Sequence, residues 1–114
     1  MTVLKILVVD DNAEVGDSFA QAFAALGCEV KVIGSRGRCL TTLPGDWRPD
    51  RVLIDASMPE GWIRQIRGRF PVPTVGITGG PVTPAALADV KILEKPSQPA
   101  AVLAELEKAG DAVP

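Results

Sequence analysis

The feature that most constrains this chain is an alternation of short apolar runs with segments of helical spacing. Leu4–Val9, Glu29–Ile33, Val52–Ile54, Thr74–Ile77 and Val90–Leu93 are too brief for helices, and most are rich in β-branched residues, so each predicts a strand. The segments between them carry helix signals. Asn12 is an N-cap candidate, followed by Val15, Phe19, Ala22, Phe23 and Leu26 at helical spacing, with Gly27 to close the helix. A short helix is expected from about Ser35 to Leu43, ended by Pro44-Gly45. Another follows Met58-Pro59-Glu60-Gly61, with Ile63 and Ile66 inward and Arg64 and Arg67 outward. Thr83-Pro84 predicts an N-cap and N1 pair opening about two turns through Leu87, and Ser97 predicts the cap of a last helix burying Val102, Leu103 and Leu106.

Five strand-then-helix repeats imply an α/β, doubly wound parallel sheet with right-handed crossovers and helices on both faces. Every loop that follows a strand then opens on one edge of the sheet. The run Val52–Ile54, apolar throughout, fits a strand buried on both faces, and Asp55 emerges at its carboxyl end, where open α/β sheets carry their chemistry. Asp10, Asp11, Thr78 and Lys95 also stand at or just past strand ends, so the topology brings them to the same edge although they are far apart in sequence.

The bulk properties limit the alternatives. The 114 residues predict one domain, 1–114, large enough for a core without disulfides or a structural metal. A formal net charge of -2 gives no global attraction to nucleic acid or anionic lipid. All seven arginines fall between Arg36 and Arg69, which reads as solvated helix surface and loop ahead of a basic face. No run approaches the roughly 18 apolar residues of a membrane span. The first strand begins almost at Met1, leaving no room for a signal peptide, so a cytoplasmic location is expected. Cys28 and Cys39 lack CxxC spacing and read as reduced structural thiols; with no histidine in the chain, histidine acid/base chemistry and an internal phosphohistidine are excluded. Trp47 and Trp62 read as partial core or partner contacts, and Met58-Pro59 as structural.

Three carboxylates brought together raise one another's pKa unless a cation neutralises them. Asp10, Asp11 and Asp55 therefore form a plausible site for Mg²⁺, a hard ion suited to oxygen ligands. Beside it, a carboxylate oxygen of Asp55 is placed to attack phosphorus and form an acyl phosphate, with Lys95 neutralising the phosphoryl oxygens and the Thr78 hydroxyl hydrogen-bonding one of them. Each residue also has a plainer reading: Asp10 and Asp11 as helix-capping acids, Thr78 as turn chemistry before Gly79-Gly80, Lys95 as a solvated lysine, Asp55 as an N-terminal helix acid.

Four segments in order, Val8-Val9-Asp10-Asp11-Asn12, Pro49 through Pro59, Ile77-Thr78-Gly79 and Leu93-Glu94-Lys95-Pro96, resemble the receiver domains of two-component response regulators. The resemblance covers nearly the whole chain. It implies a flavodoxin-like (βα)5 sheet of order 2-1-3-4-5, Asp55 as phosphoacceptor from a sensor histidine kinase or phosphotransfer protein, and Mg²⁺ held by Asp10, Asp11, Asp55 and the backbone carbonyl of Ser57. It further implies Thr78 as switch hydroxyl, Lys95 as phosphate-binding lysine and a cis Lys95-Pro96 bond. The expected role is a stand-alone adaptor or phosphate sink with no enzymatic activity beyond phosphorylating and dephosphorylating itself. The alternatives are a degenerate receiver that binds partners without phosphorylation, and a Mg²⁺-dependent aspartyl phosphotransferase, for which the chain has no residues to build a cap domain.

The chain departs from the family pattern in three places. Glu60-Gly61 follows Pro59 at once, so the next helix is entered tightly. Thr78 and Lys95 are seventeen positions apart, which stunts the crossover between the last two strands. Ile92 stands where the family has a Tyr or Phe that swings inward on activation, so the usual relay is missing.

Overall fold

A computed structural model describes residues 3–80, 84–95 and 97–111. Five parallel strands form one sheet: β1 (Lys5–Val9), β2 (Glu29–Ile33), β3 (Arg51–Asp55), β4 (Thr74–Thr78) and β5 (Lys91–Glu94). Their order is β2-β1-β3-β4-β5, the doubly wound arrangement expected. The register pairs Val8 with Leu53 and Asp55 with Ile77, which aligns the carboxyl ends of the central strands.

Side chains of the central strands alternate between two helical layers, as the two-residue strand period requires. Ile6, Val8, Leu53, Val75 and Ile77 pack against Phe19 and Phe23 of α1 (Ala13–Ala25) and Val102, Leu103 and Leu106 of α3 (Pro99–Asp111). Leu7, Val9, Val52 and Ile54 face Ile63 and Ile66 of α2 (Glu60–Arg69). Trp47 and Trp62 pack at the margin of this second layer, as partial core. β3 and β4 are buried nearly throughout, whereas β2 and β5, the sheet edges, are half exposed.

Asn12 caps α1, its side-chain oxygen accepting from the N–H groups of Glu14 at 3.1 Å and Val15 at 3.3 Å. Leu26, expected on the buried stripe, is instead the C-cap residue and is 54% exposed. The helix expected over Ser35–Leu43 is absent: a single 3-10 turn, Leu40–Thr42, takes its place and buries Leu40. Gly34, Ser35 and Gly37 oppose helix there, and Gly37 lies at φ 59°.

The crossover between β4 and β5 is shorter still. Its described residues hold one 3-10 turn, Ala85–Leu87, where two helical turns were expected, with Leu87 fully buried. The expected Thr83 cap lies outside the described residues. Ser97 does not cap α3; its hydroxyl donates to the carbonyl of Glu94, and the helix opens at Pro99, a residue suited to the first helical position. Cys28 and Cys39 are free thiols. Arg38 pairs with Asp17, Arg48 with the Gly45 carbonyl and Arg64 with Glu60 at the surface, whereas Arg67 reaches Asp89 of the β4–β5 crossover and Arg51, on β3 and half-buried, donates to the Leu106 carbonyl.

Candidate functional site at the carboxyl edge of the sheet

β1 and β3 deliver two acids to the carboxyl edge. Asp10 follows β1, where its N–H donates to the Ile33 carbonyl at 2.9 Å, and Asp55 ends β3; they are only 5% and 6% exposed. Each carboxylate folds back on its own loop. Asp10 Oδ1 accepts from the Asn12 N–H at 2.8 Å, and Asp55 Oδ1 from the Ser57 N–H at 2.9 Å. The second oxygens are left facing Lys95, whose Nζ lies 3.8 Å from Asp10 Oδ2 and 3.6 Å from Asp55 Oδ2. Lys95 is positioned by its N–H, which donates to the Thr78 carbonyl at 2.7 Å and continues the ladder beyond β5.

One cation thus faces two buried acids. Burial, first of all, pushes the Asp10 carboxyl above the ordinary carboxylate range; the Asn12 N–H draws it down, the Asp55 charge raises it again, and Lys95 opposes both increases. Two neighbouring carboxylates, each with an oxygen free of backbone, form a donor set that fits a hard divalent cation, whose charge would relieve the repulsion that Lys95 opposes.

Asp11 and Thr78 are placed differently from Asp10, Asp55 and Lys95. The exposed Asp11 carboxylate turns toward the end of β2, where Oδ1 accepts from the Ser35 N–H at 2.6 Å and Oδ2 from the Ser35 hydroxyl at 2.8 Å. Gly34 permits the approach, since a Cβ there would stand 2.6 Å from Asp11 Oδ1 and 3.1 Å from the Asp10 carbonyl. Among the described residues, no three side chains of Asp, Glu, Cys or His gather closely enough to hold a metal ion. Thr78 is 7% exposed at the end of β4. Its hydroxyl donates to the Gly80 carbonyl and accepts from the Gly80 N–H, both at 3.1 Å. The Ser57 backbone lies at the mouth of the site, beside Asp55. The Lys95-Pro96 bond involves a residue outside those described.

Sequence reasoning missed Ser35. Its position just past a strand end places it on the same edge as the acids, but the sequence reading put it at the start of a helix instead.

No family model matches the chain. A protein-glutamate methylesterase/protein-glutamine glutaminase 2 from Anaeromyxobacter dehalogenans is 31% identical over 82% of the chain. The chain spans only 30% of that protein's length. Among solved structures, a CheY-like receiver domain protein from Methanospirillum hungatei superposes with a TM-score of 0.75 at 22% identity, covering 96% of this chain and 95% of the other. The chemotaxis response regulator CheY4 of Vibrio cholerae gives 0.75 at 21%, covering 95% and 99%. A Burkholderia pseudomallei response regulator with a phosphorylated aspartic acid and a calcium ion gives 0.73 at 20%, covering 96% and 70%. The fold is therefore that of response-regulator receiver domains, and the resemblance drawn from the four motifs is borne out in strand order and topology. Among the described residues, no helix is long and apolar enough to cross a membrane.

Proposed function

We propose that the chain acts as a receiver in two-component signalling, accepting a phosphoryl group on Asp55 from the phosphohistidine of a sensor kinase or phosphotransfer protein. The observation that carries this reading is the meeting of Asp10, Asp55 and Lys95, from three separate strand ends, with one oxygen of each acid facing the ammonium. In the transfer, an Asp55 oxygen bonds to phosphorus as the donor's P–N bond breaks, and the electron pair of that bond stays on the departing imidazole, which takes up a proton. Lys95 moves from sharing two carboxylates to neutralising the oxygens of the bound phosphoryl group. Thr78 contributes its hydroxyl by giving up its contact with the Gly80 carbonyl.

The donor set suits Mg²⁺, which Asp10, Asp55, the Ser57 carbonyl and a rotated Asp11 would hold. When bound, the cation supplies charge neutralisation and alignment for the phosphoryl oxygens. The phosphorylated aspartic acid and calcium ion of the Burkholderia pseudomallei regulator support this chemistry on the same fold.

Incubation with acetyl phosphate and Mg²⁺, followed by intact mass spectrometry, tests the reading. The expected result is one added phosphoryl group, absent without Mg²⁺ and absent in Asp55→Asn. Addition that survives Asp55→Asn overturns the assignment, and no addition at all favours a receiver that binds partners without phosphorylation.

A further inference from the structure

We propose that Ser35 is a positioning residue for the cation site, holding the Asp11 carboxylate on the β2 loop until a divalent cation draws it away. The inference rests on the Mg²⁺-dependent reading above and adds a residue and a coupling to it. Both oxygens of Asp11 are engaged by one residue, through the Ser35 N–H at 2.6 Å and its hydroxyl at 2.8 Å. A carboxylate accepting two such bonds is held in place while it remains there, because bonds to an ionised acceptor are the stronger kind.

The rest of the site is already assembled without Asp11. Asp10 and Asp55 are fixed by their own loop N–H groups, and both face Lys95. Asp11 is the exposed member of the acidic set, and rotation of its side chain requires no opening of the core. Cation binding therefore exchanges two hydrogen bonds at Ser35 for a ligand bond. The exchange removes one tether of the segment 34–39, which stays closed on itself by the Gly34 N–H to Arg38 carbonyl bond at 2.5 Å and tied to α1 by the Arg38–Asp17 ion pair at 3.0 Å. Cation occupancy and the conformation of this loop are then two ends of one equilibrium, and each biases the other.

Titration of the ¹⁵N-labelled chain with Mg²⁺ alone tests the coupling without any phosphoryl donor. The expected result is a Ser35 amide signal that moves upfield as its bond to the carboxylate is lost, with the same midpoint as the Asn12 and Ser57 amides. Ser35→Ala removes the hydroxyl competitor and should tighten Mg²⁺ binding about three- to tenfold, while Ser35→Thr restores the parent affinity. A Ser35 amide that stays in place while Asn12 and Ser57 respond overturns the coupling and leaves the Mg²⁺-dependent reading standing. An unchanged affinity in Ser35→Ala also overturns it. Absence of any response to Mg²⁺ overturns both.

Discussion

Asp10 is a charged group whose folded environment favours its neutral form, and its cause is legible in its position: a buried strand end that also receives Asp55. A carboxyl whose pKa rises on folding binds its proton more tightly in the folded state. The stability so gained is complete below the unfolded carboxylate's value, about 3.9, and is lost as pH rises through the folded value. At neutral pH the ionised Asp10 therefore costs stability. Asp10→Asn should raise the melting temperature by a few degrees in cation-free buffer near pH 7, with the advantage over the parent vanishing as the pH falls below about 4. Addition of Mg²⁺ should stabilise the parent and not the variant. Thermal melts across pH, with and without the cation, check both statements. Asp10, Asp55 and Thr78 could be read from the sequence because each follows an apolar run directly, and Lys95 because it stands two positions past one. The orientation of Asp11 could not, since nothing local says that a serine 24 residues away, just past the end of β2, has two donors to offer.

At the scale of elements, the shortened crossover between β4 and β5 is held down by α2. Glu60 Oε1, in the first turn of that helix, accepts from the Ala86 N–H at 3.1 Å. Arg67 reaches from the last two turns to grip both oxygens of Asp89, at 2.9 and 3.1 Å, and the Ala86 carbonyl at 3.2 Å. Sequence spacing placed Arg67 outward on α2, but its partner 22 positions away depended on the path of a segment with too few residues to form a helix. The central strands were legible because burial on both faces leaves continuous apolar runs, β2 because polar and β-branched residues alternate along it, and α1 because its cap and stripe agree. The segment 35–43 holds only one isolated turn because Gly34, Ser35 and Gly37 disfavour a helix at its start. Arg67→Ala should cost about 0.2–1 kcal/mol, the range of exposed pairs, and should speed amide exchange at Ala88 and Val90. The Arg67 hydrogen bond holds the Asp89 carboxyl below the ordinary range. That contribution is present above the unfolded carboxylate's value and disappears as pH falls through the folded one, so the difference between parent and variant should narrow in acid.

The whole molecule is uneven in its two layers. One face of the sheet carries two helices of thirteen residues, α1 and α3, joined over Phe19, Phe23 and Leu106. Among the described residues, the other carries α2, flanked by two 3-10 turns. A signal from Asp55 needs an element with two stable arrangements. Near β5 the candidate is poor: Ile92 lies over Gly76 so closely that a Cβ there would collide with its δ-carbon, and an aliphatic side chain has no hydroxyl to exchange between partners. At the β2 end an alternative is proposed, because an Asp11 that exchanges partners at the surface would make or remove a tether of the segment 34–39. Beryllofluoride with Mg²⁺, as an acyl-phosphate mimic, should accordingly shift amides of residues 34–39 and 55–58 and of Thr78–Gly80, while residues 84–94 change little. Lys95 should respond because its ammonium leaves Asp10 for the bound group. Backbone amide mapping would reveal the reverse pattern as readily: a large response confined to residues 84–95 would mean that the relay runs through β5 despite Ile92, and would place the bistable element in the crossover that α2 restrains.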